Sequence, residues 1–292
     1  MQRGLSGLKR IARETVYANV TRELERLVHT DRREPMTTSP TPLDLTEFTV
    51  FTAPTRELPQ IAGGRAIDLP LGSDLRVASK QSARFGAGGD FFEVFEHATG
   101  RVSTVVADVC GNGAAAAQIA ARIPPFLHHS LARGESPGTV LAGLNEALVA
   151  EGLAERFVTA VAVRVDVLTG AVEIACAGHL GPFVRRASGR VQLVDRATGV
   201  PLGLVSGERY EEIGLRLGPE DALVLVTDGV TDPLSTDGDP LGEVALARLL
   251  ERAPRLTLGM CEALLMDGVP TRDDATVLVM QLPSASAAPI AA

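Results

Sequence analysis

Four aspartate positions stand where an apolar run meets a turn. Asp108 follows the apolar stretch 102–107 and opens the turn Cys110-Gly111-Asn112-Gly113. Asp228 follows the run 222–227 and precedes Gly229. Asp90 comes after Gly88-Gly89 and before Phe91-Phe92, and the pair Asp273-Asp274 precedes the apolar run 275–282. A carboxylate at the end of a buried strand is costly unless something compensates its charge. No Lys or Arg lies close in sequence to Asp108 or Asp228. A divalent cation is the natural alternative, and carboxylates and carbonyls without His or Cys suit Mg²⁺ or Mn²⁺ better than zinc. A single Asp-Gly turn commonly does no more than close an Asx-turn. Four acidic turns at strand boundaries together point to a hard-metal site.

The elements that must carry these turns can be read from the pattern around them. Strand-like runs occur at 74–80, 101–109, 157–166, 171–177, 182–194, 210–217, 221–227 and 275–282. Several adjoin across short turns, which implies antiparallel pairing. Helical periodicity appears at 114–132, 137–151, 242–252 and 256–267. Pro124-Pro125 should kink or split the first of these, whereas Pro137 stands near a helix start, where proline is tolerated. Strict β-α-β alternation is absent, so the pattern predicts a layered α+β domain rather than a doubly wound parallel sheet.

Ahead of this body, Leu5, Leu8, Ile11, Val16, Val20, Leu24 and Leu27 mark an amphipathic helix over residues 5–28. It could pack on its own domain, or serve as a homodimer contact or a docking site for a regulatory partner. Proline-rich residues 29–45 read as a linker. The expected organisation is therefore an N-terminal helix at 1–28, a linker and lead-in segment at 29–72, a main domain at 73–282 and a loose tail at 283–292.

Composition narrows the field. Hydrophobic residues make up 45% and charged residues 22% of the 292-residue chain, which excludes wholesale disorder. The net charge of −8, with no basic stripe, argues against nucleic acid as a partner. Lys occurs only at Lys9 and Lys80, so a lysine-based mechanism is disfavoured. The three cysteines Cys110, Cys176 and Cys261 are far apart and form no metal-binding or disulfide framework. With no leader-like or membrane-spanning run, the sequence reads as a cytoplasmic protein with no membrane partner.

Seven short motifs then occur in a recognisable order. Gly88-Gly89-Asp90-Phe91-Phe92-Glu93, Asp108-Val109-Cys110-Gly111-Asn112-Gly113, Phe157-Val158-Thr159-Ala160, Ala177-Gly178-His179-Leu180-Gly181-Pro182, Pro201-Leu202-Gly203, Thr227-Asp228-Gly229-Val230-Thr231-Asp232 and Asp273-Asp274-Ala275-Thr276 together resemble the SpoIIE-like bacterial branch of the PPM, or phosphatase 2C type, protein phosphatases. The resemblance runs from about residue 73 to 282. It implies two stacked antiparallel sheets flanked by helix pairs, an α-β-β-α sandwich with the N-terminal helix separate.

It also implies a metal-dependent serine/threonine protein phosphatase that holds two Mn²⁺ or Mg²⁺ ions and acts through a metal-bound hydroxide. Asp108 would lie between the ions, with the Val109 carbonyl on one, Asp228 and Asp273 on the other, and Asp90 supporting a bound water or a metal directly. Asp274 is the alternative to Asp273, and Glu93 and Asp232 are outer candidates. The expected partner is a phosphoserine or phosphothreonine protein, such as an anti-sigma-factor antagonist in a partner-switching system. One departure is Asn112, which replaces the usual His of the Asp108 turn and cannot shuttle a proton. Arg84 is a candidate phosphate contact, and His179 is expected to tie loops together rather than bind metal. Two other readings stay open: a hydrolase of small phosphate esters, and a non-catalytic binding protein that keeps the fold.

Overall fold

The computed structural model describes residues 67–70, 76–82 and 88–284, except 98, 112, 154–155, 196–197, 232–241, 254–272 and 283. The expected helices at 5–28 and 256–267 lie outside these residues, as do Arg84, Asn112 and Asp232. Among the described residues, two six-stranded assemblies account for every strand. The first sheet contains β1 (Ile67–Pro70), β2 (Arg76–Ser82), β7 (Phe183–Arg185), β8 (Val191–Leu193), β11 (Ala222–Val226) and β12 (Ala275–Gln281), in the order β1-β2-β12-β11-β7-β8. The second contains β3 (Phe91–His97), β4 (Arg101–Val109), β5 (Val158–Asp166), β6 (Ala171–Ala177) and β10 (Ile213–Arg216), in the order β10-β6-β5-β4-β3. A two-residue strand, β9 (Thr198–Gly199), pairs parallel to β6, and all other pairs are antiparallel.

The central strands are apolar along both faces because both faces are covered. In β4, Val102 and Val106 face the other sheet and join Leu223, Leu225, Leu278 and Met280 in the inter-sheet core. Val105, Ala107 and Val109 point the opposite way, under three helices: α1 (Gly113–Ala120), α2 (Ile123–Ala132) and α3 (Pro137–Glu151). That outer face is rich in small residues, with Ala107, Ala160, Ala162, Ala175 and Ala177 beneath Leu141, Leu144 and Leu148 of α3. On the far side, α5 (Gly242–Arg252) lays Leu246, Leu249 and Leu250 over Val224, Val277 and Val279. The layering is helix, sheet, sheet, helix, as the resemblance implied, and it is a form of the layered α+β domain that the sequence patterns predict.

The double proline has the predicted effect. The helical stretch breaks into α1 and α2, and Pro124-Pro125 fall in the first turn of α2, where backbone donors have no intrahelical partner. Helix α3 starts at Pro137 and ends at Gly152, which adopts the left-handed conformation. Its N-terminus is closed by the Glu212 carboxylate, which accepts the Gly138 N–H at 2.9 Å and the Ser136 hydroxyl.

Candidate metal centre

All the acidic turns lie at one end of the two sheets. Asp108 and Val109 are the last two residues of β4, paired with Thr159 and Val158 of β5. Asp90 immediately precedes β3, and Val109 N–H donates to the Gly89 carbonyl at 3.3 Å. Those residues belong to the second sheet. From the first sheet come Asp228, at the head of the single-turn α4 (Asp228–Thr231) after β11, and Asp273-Asp274 just before β12.

Close backbone approaches join the two groups. Gly89 N–H donates to Asp274 Oδ2 at 2.8 Å. A side chain at Gly88 would put its Cβ 2.4 Å from that same oxygen, and a Cβ at Gly229 would lie 2.0 Å from the Asp274 carbonyl oxygen. Glycine is required at both positions because Asp274 occupies the space. Asp274 is almost fully buried, and its backbone N–H donates to Asp273 Oδ1 at 2.9 Å. Asp273 is half-buried, and Asp228 is exposed.

Asp90 is buried, and its Oδ2 accepts two hydroxyls, Thr227 Oγ1 and Thr276 Oγ1, each at 2.7 Å. The two threonines are buried partners of Asp90 that reading the sequence for ligands passes over. Their signal was present as the first letter of Thr-Asp-Gly and the last of Asp-Asp-Ala-Thr.

The charges confirm that the acids face one another. Burial first, then Asp228 and Asp273, raise the Asp108 carboxyl to about 7, with Asp274 adding to the rise and a hydrogen-bonding contact with Asp90 opposing it. Asp90 is pushed well above the ordinary carboxylate range by burial, then by Asp108, with the two threonine hydroxyls pulling it back. Without a cation, Asp90 and Asp108 titrate as a pair rather than as independent groups. Among the described residues, no three carboxylate, imidazole or thiol groups close to the spacing of a metal-ligand set. The acids are gathered but not drawn together. Their donors are all oxygens, and mutually repelling carboxylates are the environment that a hard divalent cation relieves, so the residues fit Mg²⁺ or Mn²⁺ in kind.

Several neighbours act as supports. Arg156 Nη1 donates to the Cys110 carbonyl at 2.9 Å and braces the turn after Asp108, while Cys110 N–H donates to the Phe157 carbonyl. His179 Nδ1 shares a hydrogen bond with Thr159 Oγ1 at 2.9 Å. Burial lowers the imidazole to about 4, and the Val226 backbone of the opposite sheet pulls the other way. His179 is thus a buried, neutral ring held by Thr159 of β5. Glu93 is buried two residues into β3 beyond Phe91. Cys176 is buried and its thiol is raised to about 12, which makes it inert packing.

Comparison with known proteins agrees with this architecture. The family model described as Stage II sporulation protein E (SpoIIE) matches residues 98–283, more than half of the chain. The chain belongs to the SpoIIE family of PPM-type phosphatase domains. A curated relative, the phosphoserine phosphatase RsbP of Bacillus subtilis (strain 168), is 24% identical over 195 residues, covering 65% of this chain and 48% of the relative. The chain therefore spans about half the length of that protein. Among solved structures, the SiaA-PP2C domain of Pseudomonas aeruginosa superposes with a TM-score of 0.63 at 24% identity, covering 73% of this chain and 87% of that one. The PP2C phosphatase domain with a regulatory fragment of SpoIIE from Bacillus subtilis gives a TM-score of 0.60 at 15% identity, covering 96% and 97%. At these identities the structural likeness speaks for the fold.

Proposed function

We propose that the chain is a metal-dependent serine/threonine protein phosphatase acting on a regulatory phosphoprotein, of the kind exemplified by anti-sigma-factor antagonists. The observation that carries the reading is the meeting of acidic turns from both sheets, joined by Gly89 N–H to Asp274 Oδ2 and by Thr227 and Thr276 to Asp90, with Asp108 facing Asp228 and Asp273. The family membership and the relative named as a phosphoserine phosphatase support the same reading.

Asp108, the Val109 carbonyl, Asp228 and Asp273 would hold two Mn²⁺ or Mg²⁺ ions. Asp273 is favoured over Asp274 because Asp274 is nearly fully buried and engaged with Gly89. When bound, the ions supply an activated water for in-line attack at phosphorus and offset charge on the phosphoryl oxygens. The protein's own part is to place the acids. Asp90, fixed by Thr227 and Thr276, keeps a carboxylate against Asp108 from the substrate-facing end of β3. His179 is neutral near pH 7, so it cannot serve as an imidazolium acid toward the leaving serine or threonine oxygen. Residues 5–28 are proposed as a dimer or regulatory contact.

The test is phosphate release from a phosphoserine protein by the full chain with Mn²⁺, with excess EDTA, and with Asp108→Ala. The reading expects turnover only in the first condition, and a strong preference over p-nitrophenyl phosphate. Full activity in EDTA would overturn it. Equal efficiency on the small ester would move the assignment to small phosphate esters, and metal binding without turnover would move it to a binding protein.

A further inference from the structure

The two halves of the proposed metal centre ride on different sheets. Asp90, Asp108 and Val109 belong to the second sheet, and Asp228 and Asp273 to the first. Between the sheets lies an apolar core of valine, leucine and isoleucine side chains. Apolar packing is non-directional, so it holds the sheets together without fixing the position of a carboxylate to a few tenths of an ångström. Directional links are needed for that; at this end Gly89 N–H to Asp274 Oδ2 is one, and two more meet on Asp90.

Thr227 and Thr276 both direct their hydroxyls to Asp90 Oδ2 at 2.7 Å. The proton positions follow from the rest of the network. Thr227 Oγ1 accepts the Thr276 backbone N–H at 2.8 Å, so its own proton is free to go to Asp90. Thr227 N–H in turn donates to the Thr276 carbonyl at 3.1 Å, which locks the two threonines to each other. Thr227 adjoins Asp228, and Thr276 is three residues beyond Asp273. A shift of either threonine therefore carries a proposed ligand with it.

We infer that Thr227 and Thr276 are positioning residues. Their paired hydroxyls clamp Asp90 across the two sheets and thereby set the separation of the two halves of the divalent-metal site. This rests on the metal-dependent reading above. The threonines act through Asp90, whose Oδ2 receives both hydroxyls. Two hydroxyls donating to one buried carboxyl oxygen make short bonds whose geometry an isosteric apolar side chain cannot reproduce.

The inference separates hydroxyl from packing, and the test uses that separation. Valine keeps the shape of threonine and removes the hydroxyl, whereas serine keeps the hydroxyl and loses a methyl group. Mn²⁺ binding to the full chain would be measured by titration calorimetry, alongside thermal melts in EDTA, for Thr227→Val, Thr276→Val, Thr227→Ser and Thr276→Ser. Each valine variant should weaken Mn²⁺ binding by roughly 10- to 100-fold, the range for residues that orient metal ligands. Each serine variant should bind within about threefold of wild type even where its melting temperature falls. Activity lost in the valine variants at low Mn²⁺ should return as Mn²⁺ is raised. Thr276→Val carries the test if Thr227→Val does not fold, because Thr227 Oγ1 also receives a backbone N–H. Valine variants that bind Mn²⁺ like wild type, or serine variants that lose binding as fully as valine, would overturn the clamp and leave the metal centre standing. Wild type that binds no Mn²⁺ would overturn the metal-dependent reading, and the clamp with it.

Discussion

Asp108 is a partly buried carboxylate with like charges around it. It faces Asp228 and Asp273, and burial together with those charges raises its carboxyl to about 7. That burden is useful only if a cation relieves it. Asp108→Asn should therefore separate stability from function. In EDTA at neutral pH the variant should be more stable than wild type by roughly 1–3 kcal/mol, since one buried like charge is gone. Its phosphatase activity should fall by about 100-fold or more, and Mn²⁺ should no longer raise its melting temperature. Melts with EDTA and with Mn²⁺ check this; a variant that is less stable in EDTA and still stabilised by Mn²⁺ would contradict it. The sequence displays each of these acids plainly, because an aspartate beside glycine at the end of an apolar run is a local feature. The roles of Thr227 and Thr276 were not local. Their acceptor lies 137 and 186 residues away, and only the folded chain shows that the two hydroxyls share it.

At the scale of elements, the turns depend on backbones that touch. The loop after β11 packs against the residues before β12 so closely that Gly229 has no room for a Cβ. Gly229→Ala should push α4 away from the Asp274 carbonyl, costing about 1–3 kcal/mol of stability through overpacking. It should also shrink the stabilisation by Mn²⁺, because Asp228 moves with the turn. Calorimetric melts with and without Mn²⁺ would measure both, and a variant matching wild type in each would refute the close contact. Much at this scale could be read in advance: the antiparallel pairs, the break at Pro124-Pro125 and the span of α3. Strand β3 was not, because Phe91–His97 reads Phe-Phe-Glu-Val-Phe-Glu-His and lacks the strict alternation that marks a half-buried strand. The run 182–194 also proved to be two three-residue strands, closed by Arg186 N–H donating to the Arg190 carbonyl at 2.9 Å. Its middle, Arg186-Ala187-Ser188-Gly189-Arg190, carries a Ser-Gly turn signal that divides the run.

The whole molecule couples these charges to its stability, and the signs can be worked out. Asp90 and Asp108 have raised values when folded, so the folded state holds their protons longer than the unfolded chain does. Metal-free protein should therefore lose stability as pH rises from about 4 through about 7. His179 acts in the opposite sense: its value is lowered to about 4, so its contribution is intact above its ordinary 6.5 and is lost as pH falls toward 4. Bound Mn²⁺ cancels the acid repulsion and leaves the histidine alone. The gap between melting temperatures in Mn²⁺ and in EDTA should accordingly widen from pH 5 to pH 8; a gap independent of pH would mean that the acids do not bind the ion. Among the described residues, no helix is long and apolar enough to cross a membrane. The most direct test of the account is phosphate release from a phosphoserine protein by the full chain and by Asp108→Ala, with Mn²⁺ and with excess EDTA. The account predicts turnover by wild type in Mn²⁺ alone; undiminished turnover in EDTA, or by Asp108→Ala, would contradict it.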